Sequence, residues 1–385
     1  MDYRDDIKLV LYKNSKNPGS ITFDYGKPFP ARSIYISNTP PACKIYLEYS
    51  DDGINYKLIK SISGGRTGKK TCIYTDNFKT PNARFYKIVV YDEVTIHDVY
   101  LSSLVKLDDY VYKSVLARKE GVRIQESSEI GKDMIIKKEN ILDLTKDFNS
   151  GSGNLSTSVP KGKWTIMRIG FSTTRAYKFP ASKSGEGLEC DKLDANAIEL
   201  HFNSFVKKVA DNTKNVSPGI MSYSEIDCYE MGGQNWTYDF DIMFKKKFGY
   251  DIIPLLPVVF GKNIDRVQTS DLILSDFREM ISYLMQNNYY KSFAELCHEN
   301  VLQFYNEPYG FCPFNYLDCG SYCDIPMGEF WMNAETKSDF RSAVSIGHIY
   351  GKNVITAESF TSMPRINWKA TQAMAKLSGD YTWTM

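Results

Sequence analysis

Histidine is scarce, with 4 in 385 residues, and no C-x-x-C pair occurs anywhere in the sequence. Dithiol redox chemistry and cysteine-knuckle zinc sites therefore have no motif to rest on. Long apolar runs are also missing. The strongest, Ile252-Ile-Pro-Leu-Leu-Pro-Val-Val-Phe260, is nine residues long and carries two prolines, whereas a spanning helix needs about 20 apolar residues. No excess of one charge sign exists: 47 Lys plus Arg face 46 Asp plus Glu, a net charge of +1. That balance leaves no basic footprint for nucleic acid or an anionic membrane. No charged-then-apolar segment opens the chain, because Met1-Asp-Tyr-Arg-Asp-Asp6 runs straight into strand-like sequence. Either the protein stays inside the cell or a leader has been lost.

What is present is length and aromatic surface. At about 150 residues per domain the chain predicts two or three domains with a sizeable core. Tyr (27), Phe (21) and Trp (5) make up 14% of the residues. Such side chains fill large cores, and they also stack on sugar faces. The eight cysteines, Cys43, Cys72, Cys190, Cys228, Cys297, Cys312, Cys319 and Cys323, have no histidine at a zinc spacing. They read as buried free thiols, in a reducing compartment or in a chain that tolerates them.

From Asp6 to about Leu104 the hydrophobic period is two, and turn signals recur every 8–12 residues, as in a sandwich of short antiparallel strands. Ile45 to Ile59 predicts two strands around an Asp52-Gly53 turn, and Arg84-Phe-Tyr-Lys-Ile-Val-Val90 predicts a third. The D-G-x-x-[YW] hairpin and the Arg84-Phe-Tyr-Lys87 strand resemble a discoidin-like, galactose-binding-like jelly roll. That resemblance implies either a carbohydrate-binding module or an accessory domain that binds nothing. Strand-like sequence continues at 133–137, 140–145 and 163–171, with a Gly/Ser/Asn loop at 149–154. These residues, 1–175, form the predicted β-sandwich domain.

Beyond about residue 176 the period changes to that of helices. Helices are predicted over 194–211, with Asp191 or Asp194 as N-cap, over 238–248, over 276–300 with Ser275 as cap, and over 338–350 ending at Gly351. Between them lie apolar runs at 219–225, 301–307, 324–331 and 353–360. Strand alternating with helix predicts a parallel sheet with buried strands. Each run ends at or near a glutamate: Glu225 with Glu230 just beyond, Glu307, Glu329 and Glu358. In a (β/α)8 barrel those ends converge on one mouth. Carboxylates gathered there push each other's pKa apart, as a glycosidase needs for a proton donor beside an ionised base or nucleophile. A glutamate at a strand end can equally be a solvated loop residue. Four of them, near Trp236, Tyr309, Phe330, Trp331 and Phe360, point more strongly to a sugar site, and such a cluster also suits a hard cation such as Ca2+.

Five blocks carry a family resemblance: Asp227-Cys-Tyr-Glu-Met-Gly-Gly-Gln-Asn-Trp-Thr237, Tyr289 to Glu299, Phe304-Tyr-Asn-Glu-Pro-Tyr-Gly310, Asp324-Ile-Pro-Met-Gly-Glu-Phe-Trp331 and His348 to Ser362, joined by Gly187-Leu-Glu-Cys-Asp-Lys-Leu193. In order and length they resemble glycoside hydrolase family 106, the α-L-rhamnosidases, over about residues 160–365. The resemblance implies an inverting, calcium-assisted hydrolase that releases terminal L-rhamnose from oligo- or polysaccharides, exported to the periplasm, cell surface or medium. By position it implies Glu230 as general acid, Glu358 as general base, and Glu329 as a third acid serving calcium or the sugar. Asn235, Trp236, Glu307, Tyr309 and Trp331 become candidate sugar contacts. Asp227 and Asp324 are either supports behind the site or caps, and His298 and His348 are packing or surface residues. Cys228-Tyr229 departs from the family's usual small residue and tryptophan.

Only four barrel strands carry such acids, whereas closure takes eight. The expected architecture is therefore a β-sandwich followed by an incomplete (β/α)8 barrel over 176–385. The chain is expected to be a fragment, completed by further barrel segments of the same gene product and poorly folded or inactive alone. Two other functions fit the same residues: a retaining barrel glycosidase of different specificity, and a non-catalytic carbohydrate binder.

Overall fold

A computed structural model describes residues 9–11, 18–39, 44–63, 72–77, 82–116, 126–177, 181–310, 312–332, 338–362, 366 and 368–385. The opening segment at 1–6 and Cys43 lie outside the described residues, as does the side chain of Cys72. The other six cysteines are free, four of them buried. Two compact units are present. One comprises Met1–Gly170 and Asp241–Phe277; the other comprises Phe171–Phe240 and Arg278–Met385.

Among the described residues, the first unit opens with eight strands: β1 (Leu9–Leu11), β2 (Gly19–Phe29), β3 (Ser33–Thr39), β4 (Lys44–Ser50), β5 (Lys57–Ser63), β6 (Cys72–Asn77), β7 (Ala83–Val90) and β8 (Val94–Ser102). They form two four-stranded sheets, ordered β1-β8-β3-β6 and β2-β7-β4-β5, with antiparallel ladders throughout. The period of two explains the packing. Ile45 and Leu47 of β4, Tyr86, Ile88 and Val90 of β7, and Ile34 and Ile36 of β3 all point into one buried cluster shared by both sheets. The Tyr86 hydroxyl is satisfied there by donating to the Phe29 carbonyl at 2.6 Å. The Asp52-Gly53 turn is wider than a two-residue hairpin. Asp52 Oδ1 accepts from the backbone of both Ile54 and Asn55 at 2.8 Å, and this side-chain bonding organises residues 51–56.

The strands expected at 133–137, 140–145 and 163–171 do not form. Short 3₁₀ turns occupy Lys132–Met134, Lys138–Asn140 and Thr145–Asp147, followed by a two-residue hairpin of β9 (Phe148–Asn149) and β10 (Asn154–Leu155). Residues 163–171 have no regular structure, and Ile166 is 71% exposed. Alternation alone does not make a strand where no neighbour supplies a ladder and a packed face.

Four helices precede or join the second unit: α1 (Tyr110–Lys113), α2 (Ala195–Ser204), α3 (Val206–Val216) and α4 (Phe240–Phe248). The single helix expected over 194–211 breaks at Phe205, whose φ/ψ of −130°/−69° is not helical, so Leu200, Phe205 and Val209 are exposed instead of buried. Asp194, not Asp191, is the N-cap and accepts from the Asn196 N–H at 3.0 Å. α5 (Val267–Leu284) starts well before the expected Ser275 cap because the apolar face continues upstream through Val267, Ile273 and Leu274, all buried. A π-helical turn at Met285–Lys291 then leads into α6 (Ser292–Glu299). The remaining helices are α7 (Tyr316–Gly320), α8 (Ser338–Tyr350) and α9 (Gln372–Trp383). α8 matches its expected span, and Gly351 follows it at φ 65°. Among the described residues no helix is long and apolar enough to cross a membrane.

The four acid-bearing runs become β11 (Tyr223–Ile226), β12 (Gln303–Asn306), β13 (Ile325–Trp331) and β14 (Thr356–Thr361), a parallel sheet in that order. Its strands are buried on one face, not on both. Ile226, Phe304 and Phe330 lie on the buried face, where Phe293 of α6 sits 5.3 Å from Phe304 and Phe340 of α8 sits 6.1 Å from Phe330. Gly328 lets α8 come this close, since a Cβ there would stand 2.7 Å from the Phe340 Cα. Gly328→Ala is expected to destabilise the protein by ~1–3 kcal/mol, as overpacking does, read as a lower urea midpoint. An unchanged midpoint would mean that the helix and strand are not held at this distance.

Candidate active site

The opposite face of the parallel sheet carries the polar chemistry. Register pairs Tyr223 with Gln303, Glu225 with Tyr305, Tyr305 with Ile325, Met327 with Thr356, and Glu329 with Glu358. Paired residues on parallel strands share a face, so Glu225, Tyr305, Glu329 and Glu358 all project to the same side. The stacked rings of Tyr223 and Tyr305, 4.4 Å apart, show the same alignment. Glu329 and Glu358 are direct neighbours on adjacent strands, where backbones lie only ~4.8 Å apart. Just beyond them the ladder slips between Glu329 and Trp331, and Phe360 takes a left-handed φ of 60°. A non-glycine residue in that region marks local strain held in place by its surroundings. The Phe360 ring is seated against Phe330 at 4.8 Å.

Three residues past β11, the chain is pinned again. The Tyr229 N–H donates to the Tyr309 carbonyl at 3.0 Å, and Tyr229 bridges Gly310 in parallel register. Gly310 has φ 148°, and a Cβ there would overlap the Tyr229 carbonyl oxygen, so the close approach requires glycine. Tyr229 is buried at 4% exposure, with its ring 6.3 Å from Phe314. Beside it, Cys228 is half-buried and Glu230 is exposed.

The acids of this unit form one electrostatic neighbourhood. Desolvation first, then Asp227 and Glu358, raise the pKa of Glu225. The Cys228 thiol is pushed well up by burial and by the charges of Glu230, Asp227, Glu307 and Glu329. Glu307 is fully buried, at 0% exposure. Burial chiefly, then the hydrogen bond the protonated carboxyl makes to Asp227 and the repulsion from Asp227, lifts its pKa to about 9, with a smaller push from Glu329, while a hydrogen bond from the Tyr309 hydroxyl works the other way. At neutral pH Glu307 is therefore a neutral acid. Asp227, Cys228 and Glu307 are the one group of potential metal ligands among the described residues, their donor atoms all within 4.8 Å of one another.

Supporting contacts connect the sequence blocks. Asp191 accepts from the Gln234 amide and, at 2.6 Å, from the Thr237 hydroxyl, so the G-L-E-x-D-K-L stretch holds the Q-N-W-T stretch. Lys192, 7% exposed, pairs with Glu189 and lies 5.9 Å and 5.5 Å from the Tyr229 and Tyr289 rings. The Thr361 hydroxyl donates to Glu358 Oε1, a contact that no spacing in the sequence singled out. Asp324 is structural: it accepts from the Phe304 N–H at 2.7 Å and bonds His298 at 2.9 Å.

Of the expected site residues, Glu230 is exposed, and Glu329, Glu358, Asn235, Trp236 and Trp331 are partly exposed. Trp236 packs against Phe240 at 4.6 Å and Phe171 at 6.4 Å. Glu307 and Tyr309, expected to touch the sugar, are 0% and 4% exposed and present no surface to a ligand here. The Glu307 N–H continues the β11–β12 ladder onto the Ile226 carbonyl at 3.0 Å.

A family profile described as alpha-L-rhamnosidase matches residues 2–384. A putative beta-glucuronidase of Formosa agariphila is 34% identical over 279 residues, 72% of this chain and 24% of that protein. A rhamnosidase from Novosphingobium sp. PP1Y superimposes with a TM-score of 0.76 at 22% identity, over 96% of this chain and 36% of that one, which shows a shared fold. The chain thus spans about a quarter of the curated relative's length.

Burial of Glu307 gives the site a pH signature. Folded, it holds its proton to about pH 9; unfolded, it releases it near the ordinary value of 4.5. Between those limits the native state binds more protons, so stability falls as pH rises, by at most ~1.4 kcal/mol per pH unit for one proton. Metal-free protein is expected to lose melting temperature between about pH 5 and pH 8.5, and Glu307→Gln, a neutral isostere, to flatten that slope. Equal slopes in the two proteins would show that Glu307 is not the titrating group.

Proposed function

The chain belongs to the alpha-L-rhamnosidase family, glycoside hydrolase family 106, and from that membership we propose that it forms the acid-bearing part of a glycosidase that hydrolyses terminal α-L-rhamnosyl linkages with inversion. In this reading the antiparallel unit is a galactose-binding-like β-sandwich, and the parallel sheet is a segment of a (β/α)8 barrel. The observation that supports it is the shared face: Glu225, Glu329 and Glu358 project together from one side of the parallel sheet, with Glu230 in the same electrostatic neighbourhood.

Roles follow from spacing and exposure. An inverting pair needs about 6.5–9.5 Å between carboxyl groups to admit water. Glu329 and Glu358 spring from adjacent backbones only ~4.8 Å apart, which favours an acid from further along the sheet. Glu230, exposed beyond β11, protonates the departing glycosidic oxygen. Glu358 takes the proton of the attacking water. Thr361 occupies Glu358 Oε1 and leaves Oε2 for that water. Trp236, Trp331 and Asn235 offer partly exposed surface for the sugar. Glu329 tunes its neighbour or bonds a sugar hydroxyl.

Calcium enters through family resemblance. Asp227 and Glu307 supply two carboxyl oxygens of the kind calcium takes, and a cation beside them would offset the repulsion among the acids. The third donor of the group, a thiol, does not match the oxygen ligands calcium takes.

A second reading is favoured by the relative named as a putative beta-glucuronidase. Aryl α-L-rhamnoside and aryl β-D-glucuronide assays separate the two. In the complete gene product, turnover of the rhamnoside with β-L-rhamnose as first product by NMR is expected, and Glu230→Gln and Glu358→Gln should each lower kcat by ~10²–10⁴-fold. Turnover of the glucuronide alone, or unchanged kcat in both variants, would overturn this assignment.

A further inference from the structure

Along a regular strand, Glu358 and Thr361 would point to opposite faces of the sheet, because side chains alternate and the two are three residues apart. They do not. Register pairs Glu329 with Glu358 and Trp331 with Thr361, so two steps along β13 are matched by three along β14. A bulge of this kind gives one strand an extra residue and turns the side chains beyond it to the other face. Thr361 therefore shares the open face with Glu329, Trp331 and Glu358, and its hydroxyl donates to Glu358 Oε1. The ladder then resumes, with the Met332 N–H donating to the Thr361 carbonyl at 2.8 Å.

Phe360 carries the conformational cost of the extra residue. Its φ of 60° suits glycine, and an aromatic side chain persists there only where packing holds it. The ring meets Phe330 edge-on at 4.8 Å. It also lies against Gly379 of α9, where a Cβ would stand 3.4 Å from two of its carbons. In the same turn of α9 the Ser378 hydroxyl donates to the carbonyl of Trp331, the residue paired with Thr361, at 3.4 Å. The bulge is thus clamped from β13 and from α9. A hydroxyl fixed to that backbone selects one orientation of the flexible glutamate side chain through a charge-assisted hydrogen bond. We infer that Thr361 is a positioning residue for Glu358, brought to it by the Phe360 bulge, and that it holds one carboxylate oxygen so that the other faces the attacking water. This rests on the reading of Glu358 as general base. Because the hydroxyl acts through the base, its contribution is realised at the transition state and shows in kcat, not in KM.

The test assays the complete gene product on an aryl α-L-rhamnoside as native protein, Glu358→Gln, Thr361→Val, Thr361→Ser and the double variant of Glu358→Gln with Thr361→Val. Thr361→Val keeps the shape and removes the donor. It should lower kcat about tenfold, the scale of one hydrogen bond to a charged group, with KM held within about twofold. Thr361→Ser keeps the donor and should restore most of the rate. In the Glu358→Gln background Thr361→Val should cost nothing further, since residues that act through one another are not additive. A bond that only stabilises the strand end would move the melting temperature and leave these kinetic differences absent. Unchanged kcat in Thr361→Val, a loss carried by KM, a Thr361→Ser variant as slow as Thr361→Val, or full additivity in the double variant would each overturn the inference and leave Glu358 in its role. No turnover by the native protein, or undiminished turnover in Glu358→Gln, would overturn the glycosidase reading and this inference with it. Should Thr361→Val fail to melt cooperatively, Thr361→Ala is read in its place.

Discussion

The parallel ladder sets Glu329 and Glu358 at the same height on neighbouring strands, and the surrounding structure has to hold that repulsive pair in place. Strand pairing fixes the backbones, while hydrophobic packing on the far face supplies the restoring force. Phe293, Phe340 and Gly328 draw α6 and α8 tight against the sheet. The acids are thus aimed by an apolar surface they never touch. This division between a sealed face and an open one allows like charges to be collected without unfolding the sheet that carries them.

Exposure then divides the acids by role. Those open to solvent keep access to a ligand, while Glu307, shut behind them, is held neutral by desolvation. The two environments are separated by a few residues of chain: Glu307 continues the β11–β12 ladder, and Tyr229, bridged to Gly310, turns Glu230 outward. The slip beside Trp331 and the left-handed Phe360 belong to the same pattern, since strain next to Glu358 is tolerated where surrounding packing fixes the chain.

Much of the fold was legible in local pattern. Ile45, Leu47, Tyr86 and Ile88 alternate because one side of each strand is buried, and Gly351 ends α8 because only glycine takes its φ cheaply. The failures share a cause. Residues 163–171 alternate but lack a neighbouring strand, the helix break at Phe205 leaves no mark in the apolar spacing, and the π turn at Met285–Lys291 preserves a helical composition while changing the hydrogen-bond register. Asp191 looked like a helix cap and instead ties Gln234 and Thr237, because its partners lie more than forty residues away in sequence.

The sequence by itself determined that acids stand at the ends of four short apolar runs, since β-strands in a parallel sheet advertise themselves through composition and their ends through polarity. It also determined the family, through blocks whose order and spacing survive. Only tertiary structure decided which carboxyls share a face, that Glu307 and Tyr309 are enclosed while Glu230 is open, and that Cys228 stands among carboxylates. Register, burial and proximity are relations between distant segments, and they arise only when the chain packs.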